Sequence, residues 1–302
     1  MSAKVSTTGS PDGRDAARPG DGDASEKPWS SRISPLGWAL VGTGTVLVAS
    51  PALELLTGDA TLYVLPAFAL LVLLWRRTGL TRQEIGFVSG RGFYQAAILH
   101  PLLVVGAIVF LATAVGATVV DATPVRTTGL RVAMMAIVTA LGALITSDGF
   151  FRGWLWGTLE RARLAPESIL LWTAFAFAVW HLPAALIEPS YRLPVGQLPV
   201  YLLNMWLLGM SWGVLRLVSG SVLVPAISHG VWNGLAYSLF GFGTAPGALG
   251  IANSLQYDPE RGWAGVAFNA AAFLVLSRWW QSREQTRRLA DADAEEQADV
   301  RG

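Results

Sequence analysis

Three histidines occur in the chain, His100, His181 and His229, and each falls inside a long apolar stretch. Asp148, Arg152, Asn204 and Asn233 lie in similar surroundings. Placing an ionisable side chain at bilayer depth costs about 2.5–3.5 kcal/mol on insertion scales, so each such group needs a partner or a task. Asp148 and Arg152 are one helical turn apart in Ser147-Asp148-Gly149-Phe150-Phe151-Arg152-Gly153, so they share a face and can pair. Phe177 and His181 repeat the spacing, which sets an imidazole beside an aromatic wall, and Pro183 follows where a helix bends and frees a carbonyl. His229 and Asn233 repeat it again and point an imidazole and an amide the same way. Together these groups meet the needs of hydrolysis. Imidazoles and a carboxylate move protons or bind a metal, and an amide holds a metal, a water or a carbonyl oxygen gaining charge.

Each motif also has a plainer explanation. Asp148 with Arg152 reads equally as a structural ion pair. A single intramembrane histidine such as His181 is more often a hydrogen-bonded packing residue. His229 with Asn233 fits an interhelical hydrogen bond, worth about 0.6 kcal/mol in membranes. The combination, on separate stretches of a chain so poor in polar groups, favours one shared pocket. His100 precedes Pro101 with no polar partner at helical spacing and reads as structural, while Asn204 is within reach of the same cluster.

The elements that must carry these residues are membrane helices. Of 302 residues, 52% are apolar and 14% charged, against roughly 25% charged in soluble domains. Mean hydropathy is +0.44. A spanning helix needs about 20 apolar residues, which gives an all-α, polytopic bundle of about eight spans. They fall near 35–56, 61–75, 93–120, 130–157, 167–187, 197–218, 221–241 and 262–280. Residues 1–33 are polar and Gly-, Ser-, Asp- and Pro-rich and read as a disordered cytoplasmic tail. The bundle occupies 34–281, with the motifs at about 130–241, and 282–302 reads as a charged cytoplasmic tail, a frayed, solvated helix.

Basic residues set the orientation. Arg76, Arg77, Arg82 and Arg91 follow the second span, Arg161 and Arg163 the fourth, and Arg278, Arg283, Arg287 and Arg288 the eighth. The alternate loops hold fewer, so both termini are expected in the cytoplasm, with the protein in the plasma membrane of a prokaryote. Gly153 and Gly157, Gly209 and Gly213, and Gly230 and Gly234 form three small-xxx-small pairs suited to close crossings. A net charge of +1 without a basic stripe argues against nucleic acid, and the absence of cysteine excludes disulfides, thiolate ligands and a cysteine nucleophile.

The ordered motifs acidic-xxx-Arg-Gly, Phe-xxx-His and His-xxx-Asn resemble the CAAX prenyl protease 2 family of intramembrane metalloproteases, also called the Abi or CPBP family. The resemblance covers roughly 140–240. It implies peptide-bond hydrolysis near the cytoplasmic face of the bilayer, on a peptide or protein substrate. His181, His229 and Asn233 would hold a divalent metal, zinc by preference, or polarise the scissile carbonyl. The family's first motif is usually Glu-Glu-xxx-Arg, where the first glutamate activates water and the second supports the arginine. Here Ser147 and Asp148 occupy those positions. A hydroxyl is a poor base at neutral pH, so Asp148 is left to take the proton from water, with Arg152 orienting it. A displacement of about 1 Å can cost about a hundredfold in rate, which opens an alternative: a catalytically degraded relative serving as membrane scaffold or immunity protein. A transporter is disfavoured, since no inverted repeat is visible.

Overall fold

The computed structural model describes residues 33–90, 92–120, 125–187, 193–242 and 245–301. Apart from Ile33, the tail expected over 1–33 lies outside the described residues, as do Arg91 and Arg192. Apolar runs become helices wherever start and stop signals frame them. Helix α1 (Pro35–Thr57) opens with Ser34 accepting from the Gly37 amide at 3.1 Å and closes on Gly58 in the left-handed region. A 3₁₀ turn (Ala60–Val64) leads into α2 (Leu65–Thr78), closed by Gly79. The polar segment that follows forms only α3 (Arg82–Ile85), held by a capping box between Thr81 and Glu84.

Next come α4 (Tyr94–Ala114) and α5 (Val125–Ile145), then a π-helical turn (Gly149–Leu155) that runs into α6 (Trp156–Arg161). The remaining helices are α7 (Pro166–Ile187), α8 (Leu198–Ser219), α9 (Leu223–Phe240), α10 (Ser254–Tyr257) and α11 (Trp263–Arg301). Two short antiparallel ribbons pair Thr118–Val120 with Leu249–Ile251 and Gly241–Phe242 with Ala245–Pro246.

Among the described residues, six helical stretches are long and apolar enough to cross a bilayer, and the fold is an all-helical membrane bundle. The expected spans near 221–241 and 262–280 are helices as well. The first is the 18-residue α9, whose polar motif residues dilute its apolar character. The second is the start of the 39-residue α11, which continues into the charged segment expected as a solvated helix.

Small residues set the closest crossings. A Cβ at Gly230 would lie 2.5 Å from Ala140 Cβ, and one at Gly234 would lie 2.6 Å from Val132 O, so α5 and α9 touch along their backbones. Gly209 meets Ala174 of α7 in the same way, and Gly157 meets the carbonyl of Glu84. The outer face of α5, with Leu130, Ile137, Val138 and Leu141 each over 60% exposed, is left for lipid.

The arginine-bearing loops gather at one end. Arg161 forms two bonds to the Glu84 carboxylate at 2.5 and 2.8 Å and donates to the carbonyls of Thr78 and Gly79. Arg216 donates to Glu84 O, Ser221 to Val88 O, and Arg283 lies over Phe93. The charge alternation in the sequence groups the same loops together.

Candidate functional site

The motif expected to lie on an unbroken helix over 130–157 instead sits in and just before the π-helical turn. Gly149 enables this wide turn, because a Cβ there would collide with the carbonyl of Leu144. The turn is buried throughout, and the Arg152 carbonyl receives the Nε–H of Arg216 at 2.9 Å.

Asp148 and Arg152 are both fully buried. The Asp148 Oδ2 lies 3.0 Å from His229 Nδ1, and its Oδ1 lies 3.4 Å from Arg152 Nη1, an ion pair longer than a hydrogen bond. Arg152 donates through Nη2 to Gly209 O at 3.2 Å. Its guanidinium stands 4.1 Å over the Phe177 ring and 5.5 Å from that of Trp212. The buried carboxylate therefore faces two cationic or hydrogen-donating partners, as its removal from water requires.

Both imidazoles rest against Phe177, His181 with ring centres 4.4 Å apart and His229 at 6.0 Å. His229 also stacks on Trp212 at 4.1 Å and 19°. The Nδ1 of His181 lies 2.8 Å from the Phe177 carbonyl, which can only accept, so that nitrogen carries the proton. The same reasoning puts the proton of neutral His229 on the Nδ1 facing Asp148. In both rings Nε2 is left with a lone pair.

Exposure tells the front of the cluster from its back. His229 and Asn233 keep 9% and 8% of their surface, His181 is half-buried, and Asp148 and Arg152 keep none. The two imidazoles thus keep some exposure, with the carboxylate fully buried, and Asn233 lies one turn along α9 from His229. Asp148 is fully buried and bonds His229 through Oδ2. Its shorter stem, one position along the helix, brings it to His229.

Three faces of α9 hold this arrangement. His229 and Asn233 face the cluster, and Gly230 and Gly234 seat α5. On the remaining face Ser228 bonds His100 Nδ1 at 3.0 Å, and Trp232 Nε1 donates to Glu260 at 2.9 Å. The Ser228 bond gives His100 a partner too distant in sequence for spacing to reveal. Asn204 belongs elsewhere: it donates to Gly262 O at 3.2 Å and accepts from Asn269 at 3.0 Å, holding the segment before α11. Trp212, Arg216 and Glu260 escaped the sequence reading, because no short spacing joins them to the motifs.

The donor set bears on a metal. Catalytic zinc takes three strong protein ligands from histidine, cysteine and carboxylate. Among the described residues no group of three or more His, Cys, Asp or Glu is arranged to hold an ion. Two imidazoles and an amide, beside a buried guanidinium, do not fit a tightly held cation, although a carboxylate behind His229 is the usual outer partner of a metal-binding histidine.

A helical membrane bundle that gathers a carboxylate, a guanidinium and two imidazoles from three distant stretches is the class of protein defined here. Residues 129–235, a region that spans all three motifs, match the family described as type II CAAX prenyl endopeptidase Rce1-like. No curated protein and no solved structure matches the chain.

Proposed function

We propose that the chain is an intramembrane endopeptidase in which an Asp148–His229 pair replaces the missing glutamate base. The observation that carries this reading is the 3.0 Å contact between Asp148 and His229 Nδ1, which leaves the opposite nitrogen of the ring open. A water on the open side gives a proton to His229 Nε2 as its oxygen bonds to the carbonyl carbon of the substrate. Asp148 steadies the resulting imidazolium, and Arg152 holds Asp148. The Asn233 amide donates to the carbonyl oxygen as it gains charge. His181 Nε2 accepts the second O–H of the water and orients it. The C–N bond then breaks as His229 returns its proton to the leaving nitrogen.

The substrate is a peptide or protein at the membrane, cut near the face that carries the basic loops, taken as cytoplasmic in a prokaryotic plasma membrane with both termini on that side. His229 lies about 9 Å along α9 from its first residue, Leu223, at that end. The mechanism routes no step through a metal. A chelator should leave the cleavage rate within about twofold of its untreated value, and a loss of activity restored by zinc contradicts the scheme.

One observation favours the second reading, a non-catalytic relative: Ser147 stands at the family's glutamate position. Reconstituted protein and a quenched-fluorescent farnesylated peptide ending in a CAAX sequence separate the two. The proposal expects cleavage by the wild type and a loss of about 10²-fold or more in His229→Ala. No cleavage by the wild type, with cleavage gained by Ser147→Glu, establishes the second reading.

A further inference from the structure

At the basic end of the bundle two grooves adjoin. One, of about 430 Å³, lies between the start of α4 and the charged half of α11 and is lined by Phe93, Gln95, Trp279, Arg283 and Arg287. The other, of about 550 Å³, continues past Val218 and Arg287 beneath the end of α8, where Ser89, Arg216 and Gly220 line it. Its one acidic lining residue, Glu160, already accepts from Trp156 Nε1 at 2.7 Å.

Arg283 and Arg287 are a turn apart on α11, on the same face. The Arg283 guanidinium stands 5.1 Å over Phe93 and 5.6 Å over Trp279, and it pairs with no carboxylate among the described residues. Arg287 is 72% exposed and reaches Glu284 only at 3.9 Å. Arg283 is therefore placed without a carboxylate partner among the described residues, and Arg287 has only a long ion pair. Trp279 and Trp280 mark the level of the bilayer interface. Deeper along α4 the wall turns apolar, with Leu99, Leu102 and Leu103 exposed by 52%, 44% and 68%.

A pair of guanidiniums suits the oxygens of a phosphate, which they grip bidentately. Basic pockets between helices at the membrane surface hold anionic headgroups for this reason. A soluble anion would use the arginines but leave the apolar wall without a task. We propose that the joined grooves bind the headgroup of an anionic phospholipid, with Arg283 and Arg287 on its phosphate and its acyl chains along α4 and α11. The site is separate from the hydrolytic cluster and stands whether or not that cluster cleaves peptides.

Native mass spectrometry of the full chain in micelles tests this with phosphatidylglycerol, phosphatidylcholine and inorganic phosphate as probes. The wild type should retain phosphatidylglycerol at least fivefold more than phosphatidylcholine at equal concentration. That preference should fall to about one in R283Q/R287Q and stay intact in R76Q/R77Q, which removes the same charge from the end of α2. The exposed single variant R287Q should lower it at least twofold, and it serves if the double variant does not fold. Equal retention of the two lipids overturns the proposal. So does an equal loss in R76Q/R77Q, an unchanged preference in R287Q, or displacement of the lipid by millimolar phosphate.

Discussion

Asp148 is the residue on which the cluster turns, because one of its oxygens faces Arg152 at ion-pair distance and the other bonds His229. Removing one partner of a buried ion pair leaves a charge out of water and costs about 3–5 kcal/mol. Asp148→Ala should therefore lower the thermal transition in micelles markedly, and an unchanged transition contradicts the pairing. Asp148→Asn keeps the shape but offers His229 a weaker, uncharged acceptor, so hydrolysis should fall further than stability does. The i, i+4 spacing made Asp148 with Arg152 and His229 with Asn233 legible in the sequence. The bond between Asp148 and His229 joins residues 81 apart, and nothing local announces it. Pairing across the bundle depends on helix rotation, which spacing within one helix leaves undetermined.

At the scale of the element, α9 presents three residue pairs to three neighbours, and its rotation decides what the imidazole meets. Gly230→Val should push α5 away, since the carbonyl of Ala136 and the side chain of Ala140 occupy the space. Overpacking of this kind costs about 1–3 kcal/mol, readable as a lower transition temperature, while a variant as stable as the wild type contradicts the backbone contact. The small-residue pairs were visible in the sequence, and all three mark close crossings. The π-helical turn was not. A single added residue changes the hydrophobic period too little to register against the apolar background of a membrane helix, so 130–157 read as one span.

For the molecule as a whole, the apolar runs and arginine loops fixed the class, since bilayer thickness and charge distribution constrain the chain over long distances. The segment before α11 was harder to read, because Glu260 and Asn204 gain their partners only when helices distant in sequence meet. At the basic end, Glu84 ties the loop after α2 to α6 through Arg161. The Arg161 hydrogen bonds hold the Glu84 carboxyl down at about 2, against an ordinary value of 4.5. A lowered folded-state value means stability that is present above the ordinary value and lost as pH falls toward 2. The loss of stability of the wild type between pH 4.5 and 2 should be steeper than that of Glu84→Gln, with thermal transitions in micelles as the measurement. Identical slopes contradict the role given to this pair.

The most direct test of the hydrolytic account is the rate of farnesylated-peptide cleavage in proteoliposomes, with wild type and His229→Gln side by side. The base assignment predicts cleavage by the wild type and a His229→Gln rate at least about 10²-fold lower. A His229→Gln protein that cleaves at the wild-type rate, or a wild type that does not cleave, contradicts it.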